Sequence, residues 1–199
     1  MTEGSDLHRE FIDWFTTLPL WLDLPGLRVI HACGHPEHVA HVRDRIGDSA
    51  TVPHDFVVDA HLKGSAEHEA IETLLKGIEV ALPSGQTFRD KDDKVRHDAR
   101  IAWWRDEPRT YRNAALVDSD DVRAQLPDEA LPTLFDDDDP RPVIFGHYWA
   151  TGTPRLQSTR ATCVDYSATL GGSLVAYRWS GEPELDAANF VGVAGASSH

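Results

Sequence analysis

Two stretches of this chain share one form: a short apolar run that ends in histidine. Arg28-Val29-Ile30-His31-Ala32 is the first, and Val143-Ile144-Phe145-Gly146-His147 is the second. Apolar runs of this length, rich in β-branched and aromatic residues, read as buried strands. In a stacked α/β arrangement, functional groups collect at the C-terminal ends of strands, where the rigid sheet stops and loops open a cleft. Histidine is the commonest metal ligand, and a strand end fixes its ring. Gly146 removes a side chain just before His147 and leaves room for close backbone approach. Two such histidines make a pair of candidate ligands, not yet a complete metal site.

The remaining pattern is that of an α/β chain. Apolar residues at Leu7, Phe11, Ile12, Trp14, Phe15 and Leu18 have helical spacing over residues 6–18, with Asp6 as cap and Pro19 as stop. Residues 20–24 and 27–31 read as strands joined at Pro25-Gly26, hence a hairpin. Residues 36–47 are helical and polar. A longer helical stretch covers 55–76, closed by Lys76 and Gly77. Residues 83–98 form a charged surface excursion within a wider insertion over about 48–98. Strands are expected at 100–104, 142–146, 161–166 and 173–179, with a turn at Gly171-Gly172. Residues 118–141 form an acidic loop. Its run Asp136-Asp137-Asp138-Asp139 lacks the alternating spacing and distal glutamate of a calcium loop, so it reads as solvated. The tail from Gly192 reads as frayed.

Charge narrows the partners. With 33 acidic against 19 basic residues, the net charge is −14, which argues against nonspecific binding to nucleic acid or an anionic membrane. A phosphorylated substrate stays open, because a bound metal can invert the local field. Cys33 and Cys163 do not make a disulfide framework and read as buried thiols. With no signal core and no spanning run, the expected location is cytoplasmic.

Further histidines and arginines fall into patterns of their own. His35, His38 and His41 share one helical face with spacing suited to zinc, although a solvated or capping role is the plainer reading. His35 follows His31 closely enough to sit in the same cleft. His54, His61 and His68 read as a solvent face. Arg105, beside Trp103-Trp104, is a candidate for holding phosphate in its two-pronged geometry, and Arg109 and Arg112 around Tyr111 share that ambiguity. No nucleophile elbow, phosphate-binding glycine loop or C-x-x-C pair occurs.

The segments LPLWLDLPGLRVIHAC, EAIETLLKGIEVALP, FGHYWATGTPRL and CVDYSATLGGSLVAYRW together resemble the C-terminal half of a calcineurin-like metallophosphoesterase. The similarity is to the bacterial branch near the serine/threonine phosphatases and diadenosine tetraphosphatases, and runs from about Phe11 to Val191. The resemblance implies half of an αββα sandwich, a mixed sheet with flanking helices. It implies that His31 and His147 bind the same metal, one of two divalent ions such as Mn, Fe or Zn. It implies hydrolysis of a phosphate monoester or phosphoanhydride in a phosphorylated small molecule or phosphoprotein. It also implies that Asp165, Tyr166, Gly171, Gly172, Leu174, Ala176 and Tyr177 belong to a packing hairpin.

The sequence departs from the family in two respects. The D-x-H, G-D-x-x-D-R-G and G-N-H-E motifs, which carry most metal ligands and the catalytic histidine, are not found; Gly47-Asp48 is followed by Ser49-Ala50. The expectation is a truncated chain whose metal binding is weak or partial, which is catalytically poor alone and works through a partner, a missing N-terminal half or a homodimer. Trp149 also stands where many relatives have a second histidine; the serine/threonine phosphatase branch lacks that histidine too, so the change fits that branch, and Trp149 is a candidate substrate contact.

Overall fold

The computed structural model describes residues 2–49, 51–90, 92–105, 109–117 and 119–195. In chain order the elements are α1 (Asp6–Thr17), β1 (Trp21–Leu24), β2 (Leu27–Ile30), α2 (Pro36–Ile46), α3 (His54–Ala60), α4 (Ala66–Lys76), β3 (Glu79–Ala81), β4 (Phe88–Arg89), β5 (Val95–Arg96) and β6 (Asp98–Arg100). They continue with α5 (Tyr111–Ala114), α6 (Asp120–Gln125), β7 (Val143–Phe145), β8 (Ala161–Cys163), β9 (Asp165–Tyr166), β10 (Ser173–Tyr177) and β11 (Phe190–Val193). Helices combine with mixed sheets, an α/β architecture.

The central sheet has the order β1-β2-β7-β8. The tight turn at Pro25-Gly26 makes β1 and β2 an antiparallel hairpin, whereas β2, β7 and β8 run parallel, with Ile30, Phe145 and Cys163 side by side. Parallel neighbours need long crossovers, and residues 31–142 supply the first of them. A second sheet, β11-β10-β9, is antiparallel, and the chain passes into it at Asp165.

The main core gathers Val42, Phe56, Ala70 and Leu74 from the helices against Ile30, Phe145 and Cys163 of the sheet. The region expected as an insertion over 48–98 therefore places Phe56, Ala70 and Leu74 in the core. A second cluster, around Phe88, Ala99, Ile101 and Leu126, packs the two small hairpins against α5 and α6.

Several elements differ from their expected form. The helical stretch 55–76 is two helices: Gly64 takes φ +85, and Ser65 starts α4 by accepting the His68 backbone N–H. Helix α1 is capped by Ser5 rather than Asp6. Strand β6 stops at Arg100, because Ala102 N–H turns to bond Ala114 O and the chain folds over at Trp103. Residues 161–166 form two strands in different sheets. The tail enters β11 as far as Val193, and its last residues, 196–199, lie outside the described ones.

The acidic run is not simply solvated. Asp137 accepts from Arg28 at 3.0 Å, and Asp139 accepts from Arg141 Nε at 3.0 Å, so both clamp the starts of β2 and β7. The Arg141 guanidinium pulls the Asp139 carboxyl down to about 2. Cys33 and Cys163 are free and buried, as expected. No helix among the described residues is long and apolar enough to cross a membrane.

Phe145 is the hub of the aromatic core, with its ring centroid 5.1 Å from Trp103, 4.7 Å from Trp104 and 5.6 Å from Tyr148. Phe145→Ala is expected to cost about 3–5 kcal/mol in urea denaturation, because the removed ring leaves a void among fixed neighbours. A loss below about 1 kcal/mol would show that this core is loosely packed.

Candidate active site: a histidine pair at parallel strand ends

The parallel ladder carries past the strand ends. Gly146 N–H donates to the His31 carbonyl at 2.9 Å, and Val164 N–H donates to Phe145 O at 2.8 Å. His31 and His147 therefore leave the same edge of the sheet, with ring centroids 5.2 Å apart and planes inclined by 53°.

The backbone after β7 is unusual. His147 has φ +73 and Trp149 has φ +48, both in the left-handed region that non-glycine residues seldom occupy. Between them, Tyr148 packs inward: its ring lies 4.6 Å from Trp104, and its hydroxyl accepts from Trp103 Nε1 at 3.2 Å. Gly77, at the end of α4, lies directly beneath that hydroxyl; a Cβ there would stand 2.2 Å from it. Trp103 Nε1 also donates to Ala32 O at 3.1 Å, while Ala32 N–H donates to Leu74 O at 3.0 Å. The backbone following both histidine-bearing strands is thus tied to α4 and to Trp103.

Gly146 has a different role from the one expected. Its φ is not left-handed, and a Cβ built on it would meet Asp165 Cβ at 3.5 Å and His31 O at 3.7 Å, both ordinary contacts. The space there accepts an alanine; the unusual backbone belongs to His147.

His31, His147 and Trp149 line one open cleft of about 450 Å³ between the two sheets, together with Asp165 and Leu174. Trp149 is 61% exposed at its wall. His31 is exposed at the mouth, yet enough protein surrounds its ring to lower its pKa, against the pull of Asp165. Burial also lowers His147, helped by His31, Arg100 and Lys76 and opposed by Asp165. Both rings are therefore neutral near pH 7 and keep the lone pair that a cation requires. The donor chemistry and adjacency suit two neighbouring ligands of one metal. Among the described residues, however, no three His, Cys, Asp or Glu side chains already stand together in ligand geometry.

Two other expected contacts lie elsewhere. His35 turns away from the cleft and packs against His38 at 4.5 Å and Phe135 at 4.9 Å, with its Nδ1 buried and unbonded. It starts a new helix at Pro36, which carries it to another face. Arg105 lies on a separate pocket with Arg28, Arg109 and Arg160, beside Val143 and Ala161. Those two residues begin β7 and β8, so the pocket is at the opposite edge of the sheet from the histidines.

His61 and His68 turn back onto backbone carbonyls: His61 Nδ1 lies 2.8 Å from Val57 O, and His68 Nδ1 lies 2.8 Å from Ala60 O. Asp165, which the resemblance places in a packing hairpin, lines the cleft. Its signal was available: Ala161-Thr162-Cys163-Val164-Asp165 repeats the form of an apolar strand delivering a polar group. Comparison with protein-family models, with characterised proteins and with solved structures finds no match.

Burial lowers four imidazoles: His31, His35, His38 and His147. Each takes up a proton less readily in the folded chain than in the unfolded one. Their contribution is therefore whole above about pH 6.5 and is lost as pH falls through the lowered folded values. Urea denaturation is expected to show lower stability at about pH 5.5 than at about pH 7.5, and His35→Gln with His38→Gln is expected to flatten that difference. An unchanged slope in the double variant would assign the effect to other groups.

Proposed function

We propose that this chain is a metallophosphoesterase-like protein in which His31 and His147 hold a divalent cation, completing half of a calcineurin-like site. The observation that carries this reading is the side-by-side placement of two neutral imidazoles at the ends of adjacent parallel strands, facing one open cleft. The resemblance of the histidine-bearing motifs supports it independently, and the αββα half-sandwich belongs to the same proposal.

A divalent ion bound there would lower the pKa of a coordinated water and neutralise phosphoryl oxygens. The chain's own residues present the two imidazoles, fix them through the Gly146–His31 hydrogen bond, and set Trp149 at the wall for the organic part of a phosphorylated substrate. The given sequence does not contain the D-x-H, G-D-x-x-D-R-G and G-N-H-E motifs, so the ligands of the second metal and the catalytic histidine would lie outside these residues. Two free, buried thiols suit a reducing compartment, and the cytoplasm is the proposed location.

Calorimetric titration with Mn²⁺ or Zn²⁺ is expected to show binding that His147→Ala removes. Release of p-nitrophenol from its phosphate ester by the pure chain is expected to be slow or nil. Rapid metal-dependent release, abolished by His147→Ala, would show that the chain alone is a complete enzyme.

A second reading has its own observation. Helix α1 buries none of its residues; Phe11, Ile12, Trp14 and Phe15 are all exposed on it, and Leu174 and Val193 are exposed on the second sheet. Apolar surface of this kind marks association sites, and the protein would then act through binding another chain without catalysis. Light scattering in dilute solution is expected to show self-association that Trp14→Ser with Phe15→Ser reduces. A monodisperse wild-type monomer would count against this reading.

A further inference from the structure

Three neighbouring strands, not two, deliver polar groups to the cleft. Strands β2, β7 and β8 are parallel and in register at Ile30, Phe145 and Cys163, so the chain leaves all three at the same edge. His31 follows the first, His147 the second and Asp165 the third, and all three line the same cleft. The root of the Asp165 side chain lies over Gly146: a Cβ on that glycine would sit 3.5 Å from Asp165 Cβ and 3.7 Å from His31 O.

We propose that Asp165 is the carboxylate of this cation site, supplying the negative charge that lets the His31–His147 pair hold a divalent ion, and that an arriving ion draws the three side chains, which do not stand in ligand geometry as folded, into one set. The inference rests on the metal-binding reading given above and assigns it a further residue. A divalent ion between two neutral imidazoles in a half-enclosed cleft lacks charge compensation, and hard or borderline cations favour a carboxylate in their set.

The surrounding charges sharpen the point. Arg100 and Lys76 both act on His147 with positive sign, while Asp165 is the carboxylate that acts on both rings. Without it, an arriving cation would meet neutral imidazoles and repulsive side chains. Asp165 is also held in place. Its Oδ1 accepts the Ser167 backbone N–H at 3.0 Å, and its own carbonyl accepts from Ala150 N–H at 2.9 Å. The first bond engages Oδ1 alone.

This geometry makes Asp165→Asn a charge test. The amide oxygen can still accept from Ser167, so the turn survives while the charge is lost. The experiment is calorimetric titration of the full chain with Zn²⁺ and Mn²⁺ near pH 7.5, alongside melting of the metal-free protein. Asp165→Asn is expected to weaken binding about tenfold or more, a loss typical of removing a carboxylate that supports metal-bound histidine, with the metal-free melting temperature within about 2 °C of wild type.

Weakening below tenfold, with binding still abolished by His147→Ala, would overturn the role of Asp165 and leave the histidine pair standing. No binding by the wild type would overturn both. If the variant melts early, the wild type decides: the Asp165 carboxylate ¹³C resonance is expected to shift on Zn²⁺ addition, and an unmoved resonance overturns the inference.

Discussion

A single hydrogen bond beyond the strand ends, from Gly146 N–H to the His31 carbonyl, organises the edge of the sheet that carries both histidines. It extends the parallel pairing of β2 and β7 by one step, so the chain cannot let either histidine drift without breaking the ladder. A bond of this kind contributes only about 0.5–1.5 kcal/mol by itself. Its effect is larger because its neighbours are tied as well: Ala32 is bonded on one side to Leu74 and on the other to Trp103, and Trp103 also reaches Tyr148. Rigid placement of two imidazoles, rather than any one contact, is what the edge achieves.

The two edges of the sheet divide the electrostatic work. At one edge, Asp137 and Asp139 hold Arg28 and Arg141, so part of the large acidic excess is used to fasten the starts of β2 and β7. At the other edge burial lowers the pKa of His147, Arg100 and Lys76 act in the same direction, and Asp165 opposes them. The proposed metal binding is placed at the second edge, where the two imidazoles face an open cleft. The backbone strain at His147 and Trp149 falls on the same stretch, and strain of this type persists only where surrounding structure over-determines the conformation.

Much of the framework was legible in the sequence. The Pro25-Gly26 hairpin, the turn at Gly171, and the apolar strands before His31 and His147 follow from local chemistry, because turn residues and β-branched runs act over a few positions. Other features escaped. The break between α3 and α4 depends on Gly64 and Ser65, whose turn competes with continuous apolar spacing. The change of sheet between Cys163 and Asp165 leaves no local mark, since both halves are good strand sequence. Arg105 lies next to Trp103-Trp104 in the chain, but β7 and β8 carry its pocket to the far edge. Asp165 looked like a packing residue because its neighbours across the cleft are far away in sequence.

The amino-acid order alone determined that this chain builds buried strands ending in histidine and that it carries a large negative charge. These follow from residue type and spacing. Only the tertiary structure decided which strand ends meet: parallel pairing across a crossover of more than a hundred residues is a long-range choice, set by how β2, β7 and β8 share one core. It brought His31, His147 and Asp165 to one cleft and sent His35 and Arg105 elsewhere, because side chains leave a sheet in the direction its register imposes.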